Sequence, residues 1–259
     1  MSDSMIRVER RGHVTIITMD RPQRRNALDA AAQAEMAAAF DAFQADDDQW
    51  IAILTGAGDQ AFSAGHDLKT VAPDGPEGLP ASGFGGITAR FDLDKPVIAA
   101  VNGFAVGGGF EMALACDIVI AAPGASFALP EVKVGLIALG GGILRLPRAI
   151  GMQRAMGLML TGRRVSAEEG VAMGFVTEIA GDEGVLAAAL RWADLLLEAS
   201  PLGVRATKAV ALQCIDEPLE TAMDRQWTLP SVRRAQASAD ALEGPAAFNE
   251  RRAPKWTGR

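Results

Sequence analysis

The stretch that most restricts the folds open to this chain is Ala99–Glu131, entered from an apolar, β-branched run at Val97–Val101. That run stops at Asn102-Gly103. Three consecutive glycines follow (Gly107, Gly108, Gly109), and an alanine-rich, helix-favouring run opens at Phe110-Glu111. A strand, a glycine turn and a helix start in that order predict an α/β layering. The same order leaves backbone N–H groups free above the glycines, with the helix dipole behind them. Two carboxylates, Glu111 and Glu131, bracket the unit in apolar surroundings. A polarised oxygen held by N–H groups, with acid–base carboxylates beside it, is the chemistry this stretch suggests.

The rest of the chain reads as support for that unit. Ile6–Arg10 and His13–Asp20 alternate around Arg11-Gly12 and predict a β-hairpin. His13 beside the turn reads most simply as a strand-edge residue. Arg21-Pro22-Gln23-Arg24-Arg25-Asn26 is a basic turn, either a solvated loop or a clamp for an anionic group. Ala27–Phe43 is an amphipathic helix with Asp29 near its start, and Trp50–Thr55 is a buried strand. A second glycine-centred turn follows at Ala61–Leu68. Val71–Ile87 holds a Pro/Gly cluster and is expected to be a loop or broken helix walling a pocket. Asp117–Ala121, Ser126-Phe127 and Phe175–Ile179 are expected strands, Arg145–Leu160 an expected helix. Ser166 and Glu169 form a predicted capping box. From about Gly184 the pattern is helical over Val185–Ala199, Leu202–Gln213 and Leu219–Gln236. The expectation is an α/β core over residues 1–183 and a helical region over 184–259, suited to subunit contacts.

Composition narrows the function classes. A net charge of −7 disfavours nucleic acid as the main partner. Hydrophobic residues at 49% and charged ones at 22% fit a folded globular chain and argue against disorder. No run of eighteen apolar residues lacks charge or glycine breaks, so no membrane span is expected. Two cysteines, Cys116 and Cys214, suit a reducing compartment; the N-terminus lacks a signal or presequence pattern, and a cytoplasmic location is expected. A phosphate loop is disfavoured because no Gly-Lys-Ser/Thr follows the glycines. There is no G-x-S-x-G for a serine hydrolase, and the two histidines are too far apart in sequence to suggest a metal site.

Two glycine turns at strand ends could each supply one N–H, that of His66 after Gly65 and that of Gly108, and together make an oxyanion hole. Read alone, Glu111 is equally a helix-start carboxylate complementing the dipole, and Glu131 a loop carboxylate after Pro130.

Four separated segments turn these readings into a resemblance: N-G-F-A-V-G-G-G-F-E-M (102–112), F-S-A-G-H-D-L (62–68), L-P-E-V-K-V-G (129–135) and E-G-P-A-A-F-N-E-R-R (243–252). In that order they resemble the enoyl-CoA hydratase/isomerase (crotonase) family over essentially the whole chain. The resemblance implies a crotonase-like spiral of ββα turns with a C-terminal helical trimerisation region, assembled as a homotrimer or dimer of trimers. It implies an acyl-CoA substrate, coenzyme A being part of that substrate, and no separate cofactor or metal. Glu111 and Glu131 map to the catalytic glutamates, and the His66 and Gly108 amides to the oxyanion hole. Arg24, Arg25, Ala27, Ala64, Asp67, Leu68 and Lys69 map to the coenzyme A contacts, and Leu139 to the acyl pocket. Both glutamates together favour hydration or dehydration over isomerisation. Leu139 is a departure, since many hydratases have a Pro-Gly pair at Ala138-Leu139. The alternatives are an isomerase or another enolate-forming acyl-CoA enzyme, and, outside catalysis, a pseudoenzyme trimer binding a partner or RNA.

Overall fold

The computed structural model describes residues 4–67 and 79–259. Its strands are β1 (Ile6–Arg11), β2 (Val14–Met19), β3 (Ile51–Gly56), β4 (Ala61–Ser63), β5 (Val97–Val101), β6 (Phe104–Val106), β7 (Ile118–Ala121), β8 (Ser126–Ala128), β9 (Val165–Ser166) and β10 (Glu178–Ile179). Its helices are α1 (Ala30–Ala45), α2 (Gly108–Ala115), α3 (Gly142–Ile150), α4 (Met152–Met159), α5 (Ala167–Met173), α6 (Val185–Leu197), α7 (Pro201–Cys214), α8 (Leu219–Arg225), α9 (Pro230–Gln236) and α10 (Ala239–Glu250).

The strands divide between a six-stranded sheet, ordered β1-β2-β3-β5-β7-β10, and a four-stranded sheet, ordered β4-β6-β8-β9. β1 and β2 form the expected hairpin, with Arg11 opposite Val14. Every later strand of the large sheet runs parallel to its neighbour. In sequence the chain lays one strand in the large sheet and the next in the small one: β3 then β4, β5 then β6, β7 then β8. A helical segment then carries it to the next turn, so α2 follows β6 and α3 follows β8. This is the spiral of ββα turns that the resemblance implied.

β3 and β5 are buried at every position, on both faces of the large sheet, which is why they read as apolar runs rather than clean alternations. Side chains alternate across each strand. Ala52, Leu54, Val97, Ala99 and Val101 enter the main core with α1 and α2 residues such as Phe40 and Phe110. Ile51, Ile53, Ile98 and Ala100 point the other way, into a second core closed by Ala188, Ala189 and Ala193 of α6. Among the described residues no helix is long and apolar enough to cross a membrane.

Several boundaries differ from the sequence reading for local reasons. The first helix starts at Ala30, because Asp29 caps it by accepting from the Ala32 N–H at 2.9 Å; Ala27 and Leu28 stay extended, and Leu28 bridges to His66. The helix expected over 145–160 begins three residues earlier and breaks at Gly151, giving α3 and α4. The one expected over 219–236 breaks at Leu229-Pro230. Of Phe175–Ile179, only Glu178 and Ile179 pair as a strand, because the Phe175 and Val176 amides donate to Gly170 O and close α5. β6 and β9, at three and two residues, carry too little pattern to be read. The capping box is present in both directions: Glu169 N–H to Ser166 Oγ and Ser166 N–H to Glu169 Oε2, each at 3.2 Å.

Candidate active site

Glu111 lies in the first turn of α2 and is 4% exposed. Helix entry is fixed by Gly107, whose N–H donates to Ala128 O at 2.9 Å and so ties the glycine triplet to β8. The Glu111 carboxylate meets a second glycine run, Gly140-Gly141-Gly142. Gly142, at the start of α3, donates its N–H to Glu111 Oε1 at 2.9 Å. A Cβ built on Gly140 would stand 2.5 Å from Oε2, so only a residue without one leaves the carboxylate its room there. Burial pushes the Glu111 carboxyl up to about 7; the Gly142 and Gly140 N–H groups and the Arg145 cation oppose the rise, and the charge of Glu131 adds to it.

Glu131 opens the short 3-10 turn Glu131–Val134 that follows β8 and Pro130. Its Oε1 lies 2.9 Å from where a Gly107 Cβ would be, which places it over the glycine triplet. Its Oε2 is buried and has no hydrogen-bond partner among the described residues. Burial raises this carboxyl too, against the pull of its own backbone N–H. A buried carboxylate oxygen left without a donor is expensive, and such groups cluster at working sites.

The two glycine turns meet. Gly65 has a φ of 82°, and a Cβ there would come within 2.8 Å of both Gly108 N and Val106 O. A side chain is excluded twice over, by backbone conformation and by contact with the opposing turn. His66 therefore follows directly on a backbone packed against Gly108. Among the described residues neither the His66 amide nor the Gly108 amide donates to a protein acceptor. Phe84 closes this corner: its ring occupies the space a Gly108 Cβ would need, at 2.5 Å, and lies 6.1 Å from the His66 imidazole. Phe84 sits in the short helical turn Phe84–Gly86, within the described part of the expected loop. Residues 71–78 of that loop, with Leu68 and Lys69, lie outside the described residues.

The remaining residues named from the sequence are placed as follows. Arg24 and Arg25 are exposed. Arg25 lines a recess of about 310 Å³ with Pro22, Gln23, Asn26 and residues 57–61, which neither glutamate borders. Arg21, the third arginine of that turn, is engaged with carboxylates instead, at 2.7 Å from Asp29 and 3.7 Å from Asp67. Ala27 is buried with its carbonyl accepting from the Arg21 guanidinium, and Ala64 donates its N–H to Arg25 O at 2.9 Å. Leu139 is 75% exposed, whereas its neighbour Ala138 is buried. The sequence reading missed Gly140, Gly142, Phe84's seat on Gly108 and the cation of Arg145. A second triple glycine ahead of a helix, repeating the 107–109 pattern, was the available signal for the first two.

Comparison with known proteins gives this arrangement a family. The family model described as enoyl-CoA hydratase/isomerase matches residues 9–259. A carnitinyl-CoA dehydratase from Salmonella typhi is 43% identical over 265 residues, covering 100% of both chains. A crystal structure of an enoyl-CoA hydratase from Mycobacterium tuberculosis superposes with a TM-score of 0.92 at 40% identity, covering 99% of this chain and 100% of that one. A carnitinyl-CoA hydratase from Mycobacterium avium, also 40% identical over 100% of both chains, gives a TM-score of 0.78. With a matched model over nearly its full length and relatives at 40–43% identity, the chain has the crotonase fold, belongs to the enoyl-CoA hydratase/isomerase family, and is an enzyme of that family's hydratase type.

Proposed function

We propose that the protein adds water to 2-enoyl-CoA thioesters, or removes it from the matching 3-hydroxyacyl-CoA, with Glu111 and Glu131 as a paired acid and base. The observation that carries this reading is the pair of carboxyls flanking one glycine turn, Glu111 raised to about 7 by burial and Glu131 with a buried oxygen that has no donor among the described residues. A carboxyl that titrates near neutrality can both accept and return a proton during turnover. Two are wanted because water is a weak nucleophile and Cα a weak base. One glutamate takes the proton from the water adding at Cβ. The other delivers a proton to Cα.

Between these steps the thioester carries enolate charge on its oxygen. In this reading the amides of His66 and Gly108 hold that oxygen, their freedom from acceptors among the described residues and the contact of their two turns supporting the role. Removing one such donor in comparable sites costs about 3–4 kcal/mol of transition-state stabilisation. Phe84 then walls the reacting carbons, and Leu139 lies at the open side of the acyl pocket. Coenzyme A would run past Ala27, Ala64, Asp67, Leu68 and Lys69 toward Arg24 and Arg25, where arginine suits a phosphate. Exposed Leu212, Ile215, Leu219, Met223, Trp227 and Phe248 in the region after residue 184 support its role in a homotrimer or dimer of trimers. The two free cysteines, Cys116 and Cys214, agree with a cytoplasmic setting.

The relatives named for carnitinyl-CoA, together with F-A-L-P-E, G-G-G-I-L-R-L-P-R and the A-L-E-G-P tail, make a crotonobetainyl-CoA-type acyl group the first substrate to try. The test is a panel of 2-enoyl-CoAs, including crotonyl-CoA and crotonobetainyl-CoA, followed by loss of enoyl ultraviolet absorbance. Turnover of at least one member is expected. Conversion of 3-enoyl-CoA to 2-enoyl-CoA without hydration would instead establish the isomerase alternative.

A further inference from the structure

The chain has two histidines, and the fold holds them in different ways. His13 is satisfied where it stands: its Nδ1 lies 2.7 Å from Asp48 O, and its ring stacks on Trp50 at 3.7 Å between centroids. The His66 imidazole meets the Phe84 ring at 6.1 Å between centroids, tilted by 39°, and neither of its nitrogens has a hydrogen-bond partner among the described residues. The residue is half-buried, between buried Gly65 and buried Asp67. An imidazole carries a donor and an acceptor when neutral and two donors when charged. Covering those nitrogens without pairing them costs free energy that an apolar side chain would not incur.

The backbone decides where this ring goes. Leu28 N–H donates to Gly65 O at 2.9 Å and Asp67 N–H donates to Leu28 O at 3.0 Å, so Leu28 pins the chain on both sides of residue 66. Successive side chains of an extended segment point to opposite sides. Asp67 turns toward Arg21, 3.7 Å away, and the His66 ring takes the other side, against Phe84. The same Phe84 ring fills the space of a Gly108 Cβ, at 2.5 Å. Phe84 is therefore the shared partner of the imidazole and of the turn carrying the Gly108 amide. We infer, on the reading of the His66 and Gly108 amides as an oxyanion hole, that the His66 imidazole is a specificity-determining group selecting acyl chains with a hydroxyl or carboxylate beyond Cβ. It hangs a few covalent bonds from an amide that holds the thioester oxygen, within reach of the acyl chain. Phe84 supplies the apolar part of that wall and the imidazole its hydrogen-bonding part. A hydrocarbon chain would cover the ring nitrogens unpaired, whereas a hydroxyl or carboxylate pairs one of them. A trimethylammonium tail has no hydrogen bond to offer them.

Titration calorimetry of the full-length protein with saturated acyl-CoAs reads this contact without turnover. Butyryl-CoA is the hydrocarbon reference, 4-hydroxybutyryl-CoA and glutaryl-CoA are the hydrogen-bonding ligands, and 4-(trimethylammonio)butyryl-CoA is the cationic control. At least one hydrogen-bonding ligand is expected to bind about 3- to 10-fold tighter than butyryl-CoA, and the cationic one no tighter. His66→Phe should level the preference to within about 2-fold, and His66→Ala should do the same without the added bulk. Each variant keeps its backbone amide, so the ratio between ligands reads the side chain whatever happens to overall affinity. Equal affinities in the parent, tighter binding of the cationic ligand, or a preference that survives either substitution would overturn the inference. Hydration of 2-enoyl-CoAs by a protein without the preference would sink the inference and leave the proposed function standing. The preference in a protein that hydrates none of them would do the reverse.

Discussion

Acids in two regions of the chain, Asp240 near its end and the pair Glu111 and Glu131 in its middle, are treated in opposite ways. Asp240, at the start of α10, is 2% exposed and accepts four hydrogen bonds: Thr257 N–H at 2.8 Å, Thr257 Oγ1 at 3.0 Å, Gly258 N–H at 3.1 Å and Ser200 Oγ at 3.2 Å. It straps the C-terminal residues onto α7 and α10. Glu131 is only half-buried, yet one of its oxygens is buried with no donor among the described residues, and burial pushes the Glu111 carboxyl up to about 7. Under the proposed mechanism, the difference separates an acid that stabilises the fold from acids that cost stability and serve the chemistry.

The strongest way to break this contrast is to neutralise each acid and read activity and stability side by side. Glu131→Gln is expected to lower kcat for hydration by about 10²–10⁴-fold while leaving thermal stability unchanged or raised. Asp240→Ala should do the reverse. Four donors lose their acceptor, so unfolding in urea should show a loss of roughly 2–4 kcal/mol, with kcat per folded molecule near the parent value. An Asp240 variant of parent stability would show that its hydrogen bonds do not carry the strap.

A smaller effect is the pH dependence of stability itself. Glu111 in the folded chain titrates near 7 and in the unfolded chain near the ordinary glutamate value of 4.5. Between those two values the folded state binds more protons, so stability falls as pH rises from about 4.5 to 7 and stays reduced above. Glu111→Gln should remove that decline and gain up to about 2 kcal/mol at pH 8. Denaturant melts at pH 5 and pH 8 check it. A wider gap between the two pH values in the variant than in the parent would contradict it. The smallest expected change is at Arg25→Ala, which should raise KM for acyl-CoA by only a few-fold, and less so at high salt, as for an exposed arginine meeting a phosphate. A KM insensitive to this substitution would remove Arg25 from the coenzyme A path.

The parts of this contrast that were legible in the sequence share one property: a local signal strong enough to act alone. The β5–glycine–α2 unit was read correctly because an apolar run, a triple glycine and a helix start are contiguous. The capping box at Ser166 and Glu169 was readable because both partners lie within four residues. Arg21 could not be separated from Arg24 and Arg25 in the basic turn, since what distinguishes it is contact with Asp67, supplied by a distant segment. The Gly140–Gly142 cradle of Glu111 was missed for the same reason: its meaning depends on a carboxylate thirty-one residues away. The strap at Asp240 also escaped notice, because a buried aspartate in an acidic helix start looks like any N-terminal carboxylate until the chain end returns to it.

The most direct test of the account is the hydration rate of a turned-over enoyl-CoA with Glu111→Gln, with Glu131→Gln and with both together. If the two carboxyls work as one unit, each single variant loses at least about 10²-fold and the double variant is scarcely worse than the poorer single. A Glu111→Gln enzyme that hydrates at the parent rate would contradict the paired mechanism outright.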